Sequence, residues 1–128
     1  TRLRREFQVA THPESLSQSS DQTGLTLRDN VPQVYVFASA SGGSGGMLID
    51  LGYAVRRVLA RMTASDAPVT AFVYAGAPND PNSPDADLAN TYATVTELNH
   101  YADPDVTFVE HNGGPEDPKV EGGGLPFS

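Results

Sequence analysis

Apolar residues fall into runs of different period along the chain, and each period implies a different element. Residues 34–38, Val-Tyr-Val-Phe-Ala, form a continuous β-branched and aromatic run. That is the pattern of a strand covered on both faces and central in a sheet. Over residues 47–62 the apolar positions Leu48, Leu51, Val55, Val58, Leu59 and Met62 recur at the helical period and leave Arg56, Arg57 and Arg61 on the remaining surface. Asp50 in the first turn and the arginines in the last two suit the helix macrodipole. A second apolar run, 69–75, follows the turn at Asp66-Ala67-Pro68. Strand, glycine turn, helix and strand over 34–75 make the βαβ crossover of a parallel sheet. The two strands are therefore predicted to lie side by side and parallel.

The flanking stretches are less periodic. Residues 1–10 place Leu3 and Phe7 four apart with Arg2, Arg4 and Arg5 on the other faces, as at the end of a helix. Residues 11–30 are rich in Ser, Gln, Thr and Asp and read as a long loop or an insertion. Residues 76–84 carry three prolines and two asparagines, which makes them a loop. A helix then starts, with Ser83 as N-cap, Pro84 at the first helical position and Asp85 and Asp87 in the first turn. It is predicted to run to about Tyr101 with Leu88, Tyr92, Val95 and Leu98 as its buried stripe, while Asn90, Thr94 and Glu97 share the other side. Residues 106–109 suit a short strand, and 110–128, rich in Gly, Pro and acid, read as a loop. The chain starts at Thr1 and ends on Leu125-Pro126-Phe127 with no element to receive it, so both ends are read as cut. The expectation is one α/β domain over 1–128, incomplete at both ends.

Composition narrows the classes of function. A chain of 128 residues suffices for one core and is too short for two domains. The net charge of −8 is uneven: residues 1–64 hold seven arginines against five acids, and 65–128 hold eleven acids against Lys119 alone. An acidic surface repels a phosphate backbone, so no nucleic-acid partner is expected. No stretch reaches the roughly twenty apolar residues of a membrane span, and no signal peptide opens the chain, which points to a cytoplasmic protein. The absence of cysteine removes disulfides, thiolate metal sites and cysteine nucleophiles. His12, His100 and His111 have no partner at metal-ligand spacing, and the acids between Glu110 and Glu121 form no calcium loop, so no structural metal is predicted.

The stretch with most chemical content lies between the first strand and its helix: Ser39-Ala40-Ser41-Gly42-Gly43-Ser44-Gly45-Gly46. Glycines permit positive φ and close backbone approach, so successive N–H groups can converge on an anion where the helix begins. Ser39, Ser41 and Ser44 add hydroxyl donors. The run is not a P-loop, because no lysine followed by Ser or Thr comes after the glycines, and it lacks the spacing of the dinucleotide fingerprint. A merely tight strand-to-helix connection is the alternative. A bulky residue at Gly45 is expected to abolish phosphate binding and leave the fold nearly intact.

The strand 34–38, the run Ser41-Gly42-Gly43-Ser44-Gly45-Gly46 and the helix opening Met47-Leu48-Ile49-Asp50 resemble the glycine-rich signature of the tubulin superfamily, closest to its bacterial tubulin-like proteins. The stretch Leu88-Ala89-Asn90-Thr91-Tyr92-Ala93 through Glu97-Leu98 is similar to the helix that follows the family's ribose-contacting loop. The resemblance implies a parallel-sheet, Rossmann-like nucleotide-binding domain of tubulin type. It further implies a GTP or GDP ligand with Mg²⁺ at its phosphates, phosphate binding by Ser41, Gly42, Gly43, Ser44, Gly45 and Gly46, and guanine recognition by Asn90. Asp85 and Asp87 stand where a ribose hydroxyl would be met, although acids in a first helical turn are stabilising without any ligand. Against the family's signature the turn is one residue short before Gly46-Met47.

Three functions follow as expectations. The first is a self-assembling, tubulin-like GTPase of the cytoskeletal kind, a homo-oligomer or filament built by head-to-tail contacts. The second is a nucleotide-binding scaffold of the same fold without hydrolysis, and the third an α/β binding module with no nucleotide. No catalytic residue can be assembled from this stretch, so the catalytic set stays unknown.

Overall fold

The computed structural model describes residues 2–26, 31–62, 64, 66–76, 85–110 and 120–128. Element order is α1 (Arg2–Ala10), α2 (Pro13–Thr23), β1 (Val34–Ser39), a 3-10 turn (Gly45–Met47), α3 (Leu48–Arg61), β2 (Val69–Tyr74), α4 (Asp85–His100), β3 (Phe108–Glu110) and β4 (Val120–Gly122). The fold is mixed α/β. β1 and β2 pair in parallel, in register from Val34 with Val69 to Ser39 with Tyr74, as the crossover pattern requires.

α3 is amphipathic in two directions. Leu48, Val55 and Leu59 pack with Val36, Ala67 and Val69 on one face of the sheet. Ile49 and Tyr53 form a second cluster with Phe108, flanked by Leu98, Tyr101 and Phe127. The Tyr53 and Phe108 rings stack at 4.5 Å, and Tyr101 meets both edge-on at 6.0 and 5.6 Å. Leu51, expected in the buried stripe, is exposed, because Ile49 and Tyr53 carry the second contact instead.

The prediction that β1 is central and doubly covered is corrected. Among the described residues its outward face is open, with Tyr35 and Phe37 beside Phe72 of β2, and Phe37 stacks on Phe72 at 5.0 Å. The run is apolar on both faces, but only the α3 side is covered.

Two segments read as loops are structured. Within 11–30, residues 13–23 form α2: Pro13 takes the first helical position, Glu14 the first turn, and Gly24 closes the end at φ 69° with its amide on Ser20 O at 2.8 Å. Composition concealed a helix whose caps are well formed. Within 110–128, residues Val120–Gly122 pair antiparallel with Phe108–Glu110. The end of the chain is also received. Pro126 is buried, Phe127 lies against the clusters of α3, and Ser128 N donates to Val69 O at 2.9 Å. Arg56 fixes this segment with three donors, Nε to Pro126 O at 3.2 Å, one terminal nitrogen to Ala67 O at 2.8 Å and the other to Ser128 Oγ at 2.8 Å. It is half-buried, and burial lowers its pKa, so it is a structural clamp and not one of the solvated arginines expected of this helix. The predicted N-cap Ser83 and the loop 77–84 lie outside the described residues.

Tyr53 donates to Gly124 O at 3.0 Å, and burial, followed by the Tyr101 phenol, raises its pKa. A phenol whose folded pKa is raised contributes stability that is present below its unfolded pKa of about 10 and lost as pH climbs through the folded value. Stability is therefore expected to fall above about pH 10, and Tyr53→Phe should flatten that fall. Urea unfolding between neutral and alkaline pH checks this; an identical alkaline slope in the variant would remove Tyr53 as the cause.

Candidate functional site

β1 delivers the chain to the turn with its ladder continued one step, Ala40 N donating to Tyr74 O at 2.8 Å. Ser44 then folds back: its Oγ accepts from Ser39 N at 3.0 Å and donates to Ser39 O at 3.3 Å. Ser39 Oγ and Ser41 Oγ lie 3.1 Å apart. The serine hydroxyls thus hold the turn's own shape. Gly45 N donates to Gly42 O at 3.0 Å and opens the 3-10 turn that leads into α3.

Positive φ is not why the glycines are here. Among the described residues only Gly24 and Gly124 adopt it. Gly45 is needed for close approach, since a Cβ there would meet Thr94 Oγ1 at 2.6 Å and Ala40 O at 2.8 Å. Gly43 and Gly46 are the opposite case, exposed, with nothing within 4 Å of an added Cβ. The consecutive amides of Gly43 and Ser44 donate to no acceptor among the described residues. Free backbone donors of this kind bind an anion before a helix.

α4 packs on the turn. Thr94, the helix's buried residue, donates to Ala40 O at 3.2 Å, and Asn90 Nδ2 donates to Ser41 O at 3.1 Å. The predicted stripe is thereby corrected: Tyr92 is 76 % exposed and Val95 51 % exposed, while Thr94 and Leu98 face inward. The partner surface is a strip of backbone carbonyls rather than a hydrophobic wall, so short polar side chains fit where periodicity favoured apolar ones. The grouping of Asn90, Thr94 and Glu97 on one side holds, and that side is the one that meets the turn.

A cavity of about 160 Å³ results, lined by Ala40, Gly42, Gly43, Gly46, Asn90, Ala93, Thr94 and Glu97. It brings together Gly42, Gly43, Gly46 and Asn90, residues up to 48 positions apart, from among those expected to touch one ligand. Ser41 holds its rim by accepting from Asn90, Ser44 instead borders a separate hollow beside Ser39, Phe37 and Phe72, and Gly45 lies buried. Asp85 and Asp87, in the first turn of α4, are not among its lining residues. Thr94 and Glu97 were not singled out from the sequence as site residues. Their shared helix face with Asn90 was the available signal.

No helix among the described residues is long and apolar enough to cross a membrane. Neither the curated proteins nor the solved structures provide a match to the chain. A family model does: that described as "Tubulin like" matches residues 1–117, nearly the whole chain, and the protein belongs to this tubulin-like family.

Proposed function

We propose that the turn over 41–46 receives the phosphates of a guanine nucleotide and that Asn90 reads its base, within a Rossmann-like domain of tubulin type. The observation that carries this reading is the Gly43 amide, which donates to no acceptor among the described residues, at a cavity that Asn90 also lines, with the equally free Ser44 amide next to it in the chain. A cavity of 160 Å³ is below the roughly 300 Å³ at which ligand pockets begin, so it matches a phosphate chain rather than a whole nucleotide. The residues fit the group: the amides supply donors without a fixed charge, and Mg²⁺ would arrive on the phosphate oxygens rather than in a cage of side chains. Asp85 and Asp87, at the start of the same helix as Asn90, are assigned to the ribose side. Self-assembly, a homo-oligomeric state and a cytoplasmic site of action belong to the same reading.

Titrating GTP and ATP into the intact protein tests it. GTP is expected to bind and to be preferred over ATP. Asn90→Ala should cost about 1 to 3 kcal/mol for GTP and level the two nucleotides. Loss of the Asn90 bond to Ser41 O would weaken both alike, so the preference is the diagnostic quantity. An unchanged preference in Asn90→Ala would remove the base-reading role, and no heat with GTP at millimolar concentration would remove the function.

A further inference from the structure

α1 and α3 enclose a groove of about 310 Å³ away from the glycine turn, lined by Leu3, Ala54, Arg57, Val58 and Arg61. Its floor is apolar. Leu3 packs on the α3 core and Val58 is buried beneath it. Arg57 and Arg61, one turn apart on α3, form its wall, and the helix that supplies Leu3 also carries the exposed Arg2, Arg4 and Arg5. Among the described residues Arg4, Arg5, Arg57 and Arg61 make no ion pair, and Arg2 makes only a contact of 4.0 Å to Glu6 across exposed side chains. A pair of that kind is worth little. Unpaired arginines over an apolar cleft, on a chain whose net charge is −8, concentrate the opposite sign at one place.

We propose that this groove docks an acidic segment of a partner protein, seating an apolar side chain on Leu3, Ala54 and Val58 while its carboxylates pair with Arg57, Arg61 and the α1 arginines. Guanidinium forks match carboxylates in bidentate geometry, and an acidic amphipathic helix presents both features at spacings of three and four residues. A nucleic acid gains nothing from the apolar floor, and its extended charge meets the field of the acidic remainder of the chain. The observations therefore favour peptide over phosphate polymer.

Fluorescence anisotropy on the intact protein tests this with a labelled sixteen-residue peptide alternating Glu and Asp with Leu at every third or fourth position. The probes compared with it are a peptide of equal length in which serine replaces leucine, single-stranded DNA of equal charge, and phosphatidylserine vesicles. The leucine-containing peptide is expected to bind at least about tenfold more tightly than each comparison, with an affinity that falls as salt rises. Arg57→Ala with Arg61→Ala should weaken it by about tenfold or more, and Leu3→Ser should erase the advantage of leucine over serine. Arg61 is exposed, whereas Arg57 and Leu3 are part-buried, so unchanged circular dichroism and thermal midpoint are required to show that the variants fold. Tighter binding of DNA or vesicles, no peptide binding, or self-association that the arginine variants abolish and the peptide does not compete with would each overturn the proposal.

Discussion

Gly52→Val is expected to lower stability by about 2 to 4 kcal/mol, the largest effect of any single substitution on α3 that leaves the hydrophobic residues in place. Gly52 is buried in the middle of the helix, where glycine ordinarily costs about 1 kcal/mol relative to alanine. The cost is accepted because the end of the chain crosses there: a Cβ would lie 2.8 Å from Phe127 Cζ and 2.9 Å from Pro126 Cβ. Alanine would regain helix propensity, but its Cβ already presses on the rigid Pro126 ring as well as on the end of the Phe127 ring, so Gly52→Ala should be destabilising too, by less than valine. Valine adds two branched carbons that the pyrrolidine ring cannot avoid, and it should push Pro126 and Phe127 off the helix. Arg56 would then lose its acceptor at Pro126 O and its partner at Ser128 Oγ. At roughly 3 to 5 °C per kcal/mol for a chain of this size, the thermal midpoint should fall by about 10 °C or more. A double-mutant cycle supplies the check: in a Phe127→Ala background the valine should cost much less. Additive costs would show that the ring is not what valine displaces.

Where sequence and structure agree or differ, the reason lies in what each residue packs against. The β1 and β2 pairing was legible because a fourteen-residue helix between two short apolar strands leaves one common solution, and the two apolar runs declared themselves. The glycine turn was legible as a place of close approach, but not which glycine served which purpose. Gly45 and Gly43 look alike as letters, and only the position of Thr94 makes the first a packing requirement and the second an open position. α2 was legible in its caps, Pro13, Glu14 and Gly24, and hidden by its Ser and Gln content. α4 was legible as a helix but was turned the wrong way, because Tyr92 and Val95 carry the apolar signal while the turn's carbonyls require Thr94 and Asn90. The role of Arg56 was beyond reach: on a helical wheel it sits with Arg57 and Arg61, and only the returning segment at 126–128 distinguishes it.

The two glycines of the turn also yield opposite predictions, and Gly45→Val is expected to damage the fold itself, contrary to the sequence-based expectation. Its Cβ would meet Thr94 Oγ1 at 2.6 Å, Ala40 O at 2.8 Å and Ala40 Cα at 2.9 Å. Two of these atoms are backbone of the β1 end and cannot swing aside, so α4 must separate from the turn. That breaks the Thr94 bond to Ala40 O and the Asn90 bond to Ser41 O as well as overpacking a buried site. The sum is about 3 to 5 kcal/mol, a large part of the 5 to 15 kcal/mol that holds an ordinary domain. Gly43→Val has no such neighbour and no left-handed φ to preserve, so its effect on stability should stay within about 0.5 kcal/mol. Its side chain would instead add bulk at the cavity that Gly43 lines, where the phosphates are proposed to sit. Gly43→Val should therefore keep the wild-type thermal midpoint and lose GTP binding by about a hundredfold, equivalent to roughly 2.7 kcal/mol. Thermal unfolding and GTP titration of both variants separate the roles. A wild-type midpoint in Gly45→Val would contradict the packing of Thr94 on the turn, and wild-type GTP affinity in a folded Gly43→Val protein would remove the phosphates from it.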